Sequence, residues 1–242
     1  MTTFAQTIKE MQPILGFLVD KSVEGEIEFI QHQEICENIW NKVSNQVDYD
    51  NLSTADKIIY DNCDEQKENY WDILGVGCSW YCGGGLDTIS ASSTLKTFKG
   101  INYSAKNIHD LNYKNAWIEG VTGYGIGEYV VYNFPPENPR ITEIIIVNGY
   151  AKSPTAWKDN SRVKKLKMYV NNKPFAILNL VDSRHEQHFK FEPIGYGERS
   201  NWELLKTKPW WTIKFEILDV YKGEKYDHTA ITEIYFDGID VH

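Results

Sequence analysis

The sequence contains no stretch of eighteen consecutive apolar residues in its 242 positions. A helix that spans a bilayer needs about 20 such residues, so we expect no membrane insertion. The N-terminus also lacks a basic segment followed by an apolar stretch, and no signal peptide is visible in this chain. These absences suit either a cytosolic protein or the mature form of an exported one.

Positive charge is also scarce. Lys and Arg number 25 against 34 Asp and Glu, which gives a net charge of −9 and a pI of about 5.2. Nucleic acids and anionic membranes need basic patches, so we expect no nucleic acid as a partner. Aromatic residues are abundant, with 8 Trp and 15 Tyr, and their rings serve both cores and binding surfaces.

Cysteine is absent after residue 82, and the four cysteines are Cys36, Cys63, Cys78 and Cys82. They form no paired C-x-x-C motif, which argues against a zinc site. An even number fits two disulfides in an oxidising compartment. Cys36 would then join Cys63, and Cys78 would join Cys82. Free buried thiols fit the sequence equally well.

Helical patterns occupy the first 75 residues. Apolar residues recur every three to five positions over 23–43, an amphipathic stripe that we assign to a helix packed on a core. Ser53 and Asp56 form a capping-box-like start for a second helical segment. Pro13 interrupts or opens the first segment. We therefore predict a helical N-terminal region over residues 1–75.

Strand patterns dominate from about residue 86, after a Gly- and Ser-rich stretch. In "WTIKFEI", alternation would turn Ile213, Phe215 and Ile217 inward. "RVKKLKMYV", "QHFKF" and "ITEIYF" alternate similarly, and "NNKPFAILNLV" indicates a hairpin turn followed by a strand. Many short strands without intervening helices indicate a mainly β protein. We predict an antiparallel jelly-roll β-sandwich over residues 76–242.

Three alternating glycines, Gly123, Gly125 and Gly127, resemble the start of a dinucleotide fingerprint. That fingerprint needs a helix after it to hold the pyrophosphate. Here residues 128–134 are β-branched and aromatic, which favours a strand. We therefore interpret the glycines as a tight turn that uses positive φ angles.

No catalytic motif stands out. His185 and His188 are spaced i, i+3, whereas a metalloprotease helix needs i, i+4, and no G-x-S-x-G elbow occurs. Glu119 and Glu128 could serve as acid and base only if the fold held them a few ångströms apart across a sugar. Binding is therefore the favoured activity.

Loops rich in aromatic and polar residues fit sugar binding, because rings stack on CH faces and polar groups pair with hydroxyls. The stretches around Trp117 and Trp157 each adjoin a predicted strand, and sandwich loops gather at the ends. A structural role is the alternative for each side chain, with Trp117 in the core or Arg162 bracing loops. The predicted ligand mouth comprises Trp117, Glu119, Tyr124, Glu128, Trp157, Asn160 and Arg162.

Several segments carry a family resemblance, among them "NIHDLNYKNAWIEGVTGYGIGEYVVYNF", "IIIVNGYAKSPTAWKDNSRVKKLKMYVN" and "FEILDVYKGEKYDHTAITEIYFDGIDVH". They resemble the glycan-binding translocation domain of bacterial NAD glycohydrolases, a member of the discoidin-type jelly-roll class. The resemblance covers about residues 78–242 and leaves 1–72 uncovered. It implies a non-catalytic glycan-binding domain that acts outside the cytoplasm. Since the chain stops at His242, just after the last predicted strand, we do not expect the glycohydrolase domain.

Discoidin-type modules often hold a structural calcium ion at an "N-x-x-D-G-D-x-x-T-x-W" loop and a C-terminal Glu. Here Leu111 replaces the Gly, and Asn residues replace the second Asp and the Thr. Calcium prefers several oxygen ligands whose charge sets the affinity, so the lost carboxylate weakens the site. A hydrogen-bonded Asx loop is the alternative, and no other cofactor is expected. The implied ligands are Asn107, Asp110, Asn112, Asn115 and Glu233.

Two functions follow from these patterns. The leading hypothesis is a non-catalytic carbohydrate-binding module that attaches to cell-surface glycans. The alternative is a protein-interaction module, in which the sandwich and the N-terminal helices dock a partner protein or form an oligomer.

Overall fold

The computed structural model describes residues 8–45, 47–63, 69–73 and 79–241. The chain forms two compact units, one of Met1–Asp20 with Gly75–His242 and the other of Lys21–Leu74. The predicted Cys78–Cys82 pair lies outside the described residues, because Cys78 does.

The larger unit is a β-sandwich, as its sequence patterns predict. Two short helices interrupt it, α3 (Pro154–Asp159) and α4 (Trp202–Lys206). Its described strands are β1 (Lys9–Met11), β2 (Ile14–Leu18), β3 (Thr88–Ala91), β4 (Trp117–Ile118), β5 (Tyr129–Phe134), β6 (Arg140–Asn148), β7 (Ser161–Val170), β8 (Lys173–Asn179), β9 (His185–Ile194), β10 (Trp211–Tyr221) and β11 (Thr229–Ile239).

Two mainly antiparallel runs of strands make up the sandwich. One has the order β2-β9-β6-β11, with β4 also paired to β11, and the other has the order β8-β7-β10-β5-β3, with β1 added to β8. The runs meet where Thr229 and Ala230 pair in parallel with Ser161 and Arg162. This mainly antiparallel arrangement is the jelly-roll β-sandwich that the sequence predicts.

The core lies between the two runs. Strand β10 buries Ile213, Phe215 and Ile217 and leaves the intervening side chains half-exposed, which confirms the predicted alternation. Phe134 and Trp211 stack with ring centres 4.3 Å apart, and Trp80 closes the core with its indole N–H donating to the Pro139 carbonyl. Burial of these apolar faces supplies the main driving force for folding.

The hairpin between β7 and β8 confirms a local prediction. Asn171 and Asn172 have φ angles of 49° and 61°, and Val170 pairs with Lys173 across the turn. Two central residues with positive φ define the type I′ turn that matches the twist of the strands. Asn tolerates this conformation better than most residues do.

The predicted helical character of residues 1–75 is wrong for residues 9–18. Strand β1 pairs in parallel with β8, and β2 pairs with β9, while Pro13 separates them. Short apolar runs such as "ILGFL" do not distinguish a strand from a helix by periodicity. The open edges of β8 and β9 decide the outcome, because they offer backbone hydrogen bonds to an added strand.

The smaller unit contains the predicted helices, α1 (Val23–Asn45) and α2 (Thr54–Asp61). The Ser53 side chain accepts a hydrogen bond from the Asp56 N–H, so the capping-box prediction is confirmed. Cys36 and Cys63 form a disulfide, which was one of the two alternatives for these cysteines.

The prediction that the apolar stripe of α1 packs on a core is wrong for the N-terminal part of the helix. Cys36 and Ile39 are buried, but the more N-terminal Val23, Ile27 and Ile30 are each more than half exposed. The second helix ends at Asp61 and covers only part of α1. Among the described residues, no helix is both long and apolar enough to cross a membrane.

Candidate functional site

A cleft of about 620 Å³ opens at the end of the sandwich where β7 and β11 begin and β6 ends. We call it the loop-end cleft. The described residues that line it are Leu95, Lys96, Thr97, Phe98, Tyr103, Ile118, Tyr150, Lys152, Ser153, Thr155, Ala156, Asp159, Asn160, Tyr226 and His228.

The floor of the loop-end cleft is apolar. Ile118 and Tyr150 belong to a small buried cluster, separate from the main core, against which Leu95, Tyr103 and Ala156 pack. Tyr103 and Tyr150 meet edge to face, with ring centres 6.4 Å apart. Burial raises the pKa of Tyr150 to about 12, so its hydroxyl stays protonated and can donate a hydrogen bond at neutral pH.

A tight turn forms one wall. Phe98 and Ile101 exchange two backbone hydrogen bonds of 3.0 Å, and Lys99 and Gly100 between them have φ angles of 48° and 80°. This is again type I′ geometry. The turn projects the Phe98 ring into solvent, where it is 63% exposed.

Helix α3 and the segment before β11 form the opposite wall. The Ser153 hydroxyl accepts from the Ala156 N–H to begin the helix, and the Asn160 amide donates to the Ala156 carbonyl at its end. The Asp159 carbonyl accepts from the Tyr226 N–H at 2.8 Å. These bonds hold Tyr226, 45% exposed, at the rim.

Of the seven predicted ligand residues, Asn160 is the one that lines the cleft. Trp117 was predicted to stack on a sugar, and the structure contradicts this prediction. Its ring is fully buried in the main core, and its indole N–H donates to the Ser93 carbonyl at 3.0 Å. Because both faces of the indole are packed against other side chains, neither face is available to a sugar.

Glu119 is fully buried beneath the cleft. Its carboxylate accepts hydrogen bonds from the Val121 and Thr229 N–H groups, and burial is the largest effect in raising its pKa. The carboxylate thus joins two loops, and it lies 3.6 Å from Nδ1 of His228, which lines the cleft. Direct contact with a ligand requires exposed atoms, which Glu119 does not have.

The glycine turn fits around Glu119. Gly123, Gly125 and Gly127 have φ angles of 99°, 67° and 91°, which confirms a turn built on positive φ. A Cβ on Gly125 would lie 2.5 Å from Cγ of Glu119. The lack of a side chain at Gly125 therefore leaves room for the buried Glu119 side chain. Strand β5 follows the turn, as predicted.

Tyr124 lies within this turn and Glu128 directly follows it, and both residues form hydrogen bonds with neighbouring segments. The Tyr124 carbonyl accepts from the Thr229 hydroxyl at 2.8 Å, and the Ser92 hydroxyl donates to the Glu128 carboxylate at 2.6 Å. Neither of the two side chains is among the described lining residues.

Trp157 and Arg162 brace the α3 wall from behind. The Trp157 indole N–H donates to the Asn148 carbonyl at 3.0 Å. Arg162, which is buried, donates to both carboxylate oxygens of Asp182 at 2.9 and 3.0 Å. The prediction that Arg162 binds the ligand is therefore wrong, because its guanidinium already donates to these partners and is not available to sugar hydroxyls.

Sequence reasoning missed most of the rim. Phe98, Lys152 and Tyr226 were not selected, although "LKTFKGINY" carries a signal. There Gly100 stands between the apolar Phe98 and Ile101, and a glycine at such a place is a turn signal. Phe98 and Tyr226, on opposite walls, are 128 positions apart in the chain, so their meeting depends on the tertiary fold.

Two of the implied calcium ligands carry carboxyl groups that the fold brings together. Burial first, and then the neighbouring Asp110 carboxyl, raise the pKa of Glu233 well above its usual range. Oε1 of Glu233 accepts from the Asn112 N–H, whereas its buried Oε2 has no hydrogen-bond partner among the described residues.

The other implied ligands have different partners. The Asn107 amide donates to the carbonyls of Asn102 and Ala116, and the Asn115 amide donates to Asp110 at 2.7 Å. Both therefore brace the loop, as the Asx-loop alternative expects. A buried carboxylate oxygen without a partner, next to a second carboxyl group, fits a hard cation such as Ca²⁺.

The fold and the loop-end cleft together define a discoidin-like jelly roll with a small-molecule-sized cleft among its loops. The sequence model of the NAD glycohydrolase translocation F5/8 type C domain family matches residues 80–237, which is more than half of the chain. The chain therefore belongs to this family. The family description is of a translocation domain, not of a catalytic one. No curated protein is similar enough to count as a match.

Several solved structures are similar to this chain, at low sequence identity and with TM-scores below 0.5. The CBM32-1 and CBM32-2 domains of Clostridium perfringens ZmpB are 15% identical, with a TM-score of 0.44 over 64% of this chain and 34% of that one. CpGH89CBM32-5 from Clostridium perfringens, in complex with GalNAc-beta-1,3-galactose, is 15% identical, with a TM-score of 0.43 over 62% and 94%. The mycobacterial arabinofuranosyltransferase AftD is 14% identical, with a TM-score of 0.43 over 75% and 13%. The chain spans about a third of the length of the ZmpB structure.

Proposed function

We propose that the protein is a non-catalytic module that binds glycans through the loop-end cleft. The observation that carries this proposal is the combination of an apolar floor with two exposed aromatic rings, Phe98 and Tyr226, at its rim. Membership of a family described as a translocation domain supports a role in attachment rather than in turnover.

The chemistry of the cleft suits a sugar. Clefts of roughly 300–1,000 Å³ take small molecules, and this one falls in that range at about 620 Å³. Aromatic rings stack on the CH face of a pyranose, while the polar groups of Asn160, Ser153 and Tyr150 suit hydroxyls. Such contacts are individually weak, so one site binds weakly and several copies on one surface bind tightly.

A glycan array followed by calorimetry on the full chain tests the proposal. Binding should be competed by free sugar, and Phe98→Ala and Tyr226→Ala should each weaken it by roughly tenfold, the loss of about 1.4 kcal/mol. Trp210→Ala is the matched control, because Trp210 is a 53% exposed aromatic residue outside the cleft. Absence of binding across the array, or equal losses for Trp210→Ala, would overturn the proposal.

We also propose that calcium binds at Asp110 and Glu233, with Asn112 beside them. The buried Oε2 of Glu233 and the adjacent Asp110 carboxyl support this proposal. The ion would supply positive charge that neutralises the two carboxylates and would thereby tie the loop to β11. Asp110 and Glu233 would provide the charged oxygens.

A second candidate function is protein binding through α1. The exposed side chains of Val23, Ile27 and Ile30 favour it, because an apolar helix stripe suits a partner groove. Double substitution of Ile27 and Ile30 by Glu should abolish any self-association measured by light scattering. Retained association would contradict a role for the stripe.

The Cys36–Cys63 disulfide supports action in an oxidising compartment outside the cytosol.

A further inference from the structure

We infer that the loop-end cleft prefers an anionic sugar, one that carries a carboxylate or a sulfate group. This inference rests on the proposed glycan-binding function and adds the class of ligand. It comes from the charges that surround the cleft, which differ in sign from the charge of the protein as a whole.

Cationic side chains border the loop-end cleft on both sides. Lys96 belongs to the Phe98 wall, and Lys152 precedes α3 on the other side. Lys99 extends the positive charge along the turn, with its ammonium group 5.4 Å from the centre of the Phe98 ring. The protein carries a net charge of −9, so a local excess of cations is unexpected from composition alone.

Lys152 is placed over the aromatic floor. Its ammonium group lies 4.4 Å from the centre of the Tyr150 ring. Burial raises the pKa of Tyr103, and the charge of Lys152 opposes that rise, so Lys152 is close to both tyrosines. No ion pair of Lys96 or Lys152 with a carboxylate occurs among the residues that the structure describes.

Acidic groups do little to cancel this charge. Asp159 is the one acidic residue among the described lining residues. The ammonium group of Lys225 lies 5.1 Å from the centre of the Tyr226 ring, so a further cation stands beside the Asp159 wall. An anion between Lys96 and Lys152 would therefore meet a net attraction, and charge-assisted hydrogen bonds are roughly twice as strong as neutral ones.

The geometry suits a sugar better than a free inorganic anion. The apolar floor and the exposed rings of Phe98 and Tyr226 would contact CH groups, while Lys152 reaches an acidic substituent. A ligand that combines both features is a glycan with a terminal carboxylate, such as a sialic acid, or with a sulfate ester. Both present the same anionic oxygen chemistry to the lysines.

The experiment compares three versions of one galactose-terminated oligosaccharide by calorimetry: neutral, sialylated and sulfated. Measurements at a single pH hold the ionisation of His228, which also lines the cleft, constant. At least one anionic version should bind roughly tenfold more tightly than the neutral one, the expected scale for one added charge-assisted bond. That preference should shrink as salt is added, because surface charges are screened.

Lys152→Met should remove the preference for the anionic sugar, so that the ratio of anionic to neutral affinity falls to about one. Lys158→Met is the matched control, since Lys158 is exposed on α3 and does not line the cleft. Melting temperatures of both variants verify that they fold. Neutral binding without any anionic preference, or an equal effect of Lys158→Met, would overturn the inference and leave the glycan-binding proposal standing. Absence of binding by all three sugars would overturn both.

Discussion

The Arg162 guanidinium lies 4.5 Å from the centre of the Trp157 ring. The two residues, each predicted to contact a ligand, contact each other instead. Gly149 has a φ of 76°, and a Cβ there would come within 2.6 Å of Arg162 and 2.7 Å of Trp157. The absence of a side chain at Gly149 therefore permits the cation–π pair that supports α3 behind the loop-end cleft.

Arg162→Ala should lower the free energy of unfolding by about 1.5–3 kcal/mol, the range for lost hydrogen bonds to charged groups. The reason is that Asp182 and three backbone carbonyls lose their donor. Urea denaturation measures the change. Lys164→Ala on the same strand is the control, because its exposed pair with Asp219 should cost less than about 1 kcal/mol. Equal losses in the two variants would contradict a bracing role for Arg162.

Gly125→Ala should destabilise the protein more than Gly123→Ala does. Both glycines have positive φ, so each substitution incurs a backbone cost of about 1–2 kcal/mol. The new methyl group at position 125 would also collide with Glu119, whereas the space around Gly123 is open, and overpacking adds about 1–3 kcal/mol. Thermal unfolding compares the two variants. Similar melting temperatures would show that the Glu119 side chain moves aside freely.

Calcium should raise the melting temperature of the wild-type protein, and a chelator should reverse the shift. A ligand that binds the native state alone adds about 2.7 kcal/mol when its free concentration is 100 times the Kd. Glu233→Gln should abolish the response, because it removes the buried charged oxygen. Asp237→Asn, an exposed carboxylate change on the same strand β11, should leave the response intact. A wild-type protein indifferent to calcium would contradict the proposed metal site.

Asp240→Asn should cost on the order of 1 kcal/mol at neutral pH and nothing in strong acid. Arg140 donates to both carboxylate oxygens and holds the pKa of Asp240 below its ordinary value of 3.8. A lowered folded-state pKa gives stability that is present above 3.8 and is lost as the pH falls through the folded value. Urea denaturation across that pH range, with the exposed Asp227→Asn as control, measures the difference between variant and wild type. A difference that persisted unchanged in acid would rule out the ion pair as its source.

Local features were predictable because a few neighbouring residues decide them. Alternation identified β10, the Asn171-Asn172 pair identified the hairpin between β7 and β8, and Ser53 marked the start of α2. The glycine turn could also be predicted, since positive φ is a property of single residues. The quoted segments pointed to the family that matches residues 80–237.

The sequence by itself therefore determined the class of fold, the turns and the caps, whereas the tertiary structure decided the members of the cleft. Trp117 and Arg162 had suitable chemistry, but the packing of two sheets buried them. Phe98 and Tyr226 are distant in sequence and line one cleft because β-pairing over long separations brings their loops together. Burial and long-range contacts depend on every strand at once, and no local pattern encodes them.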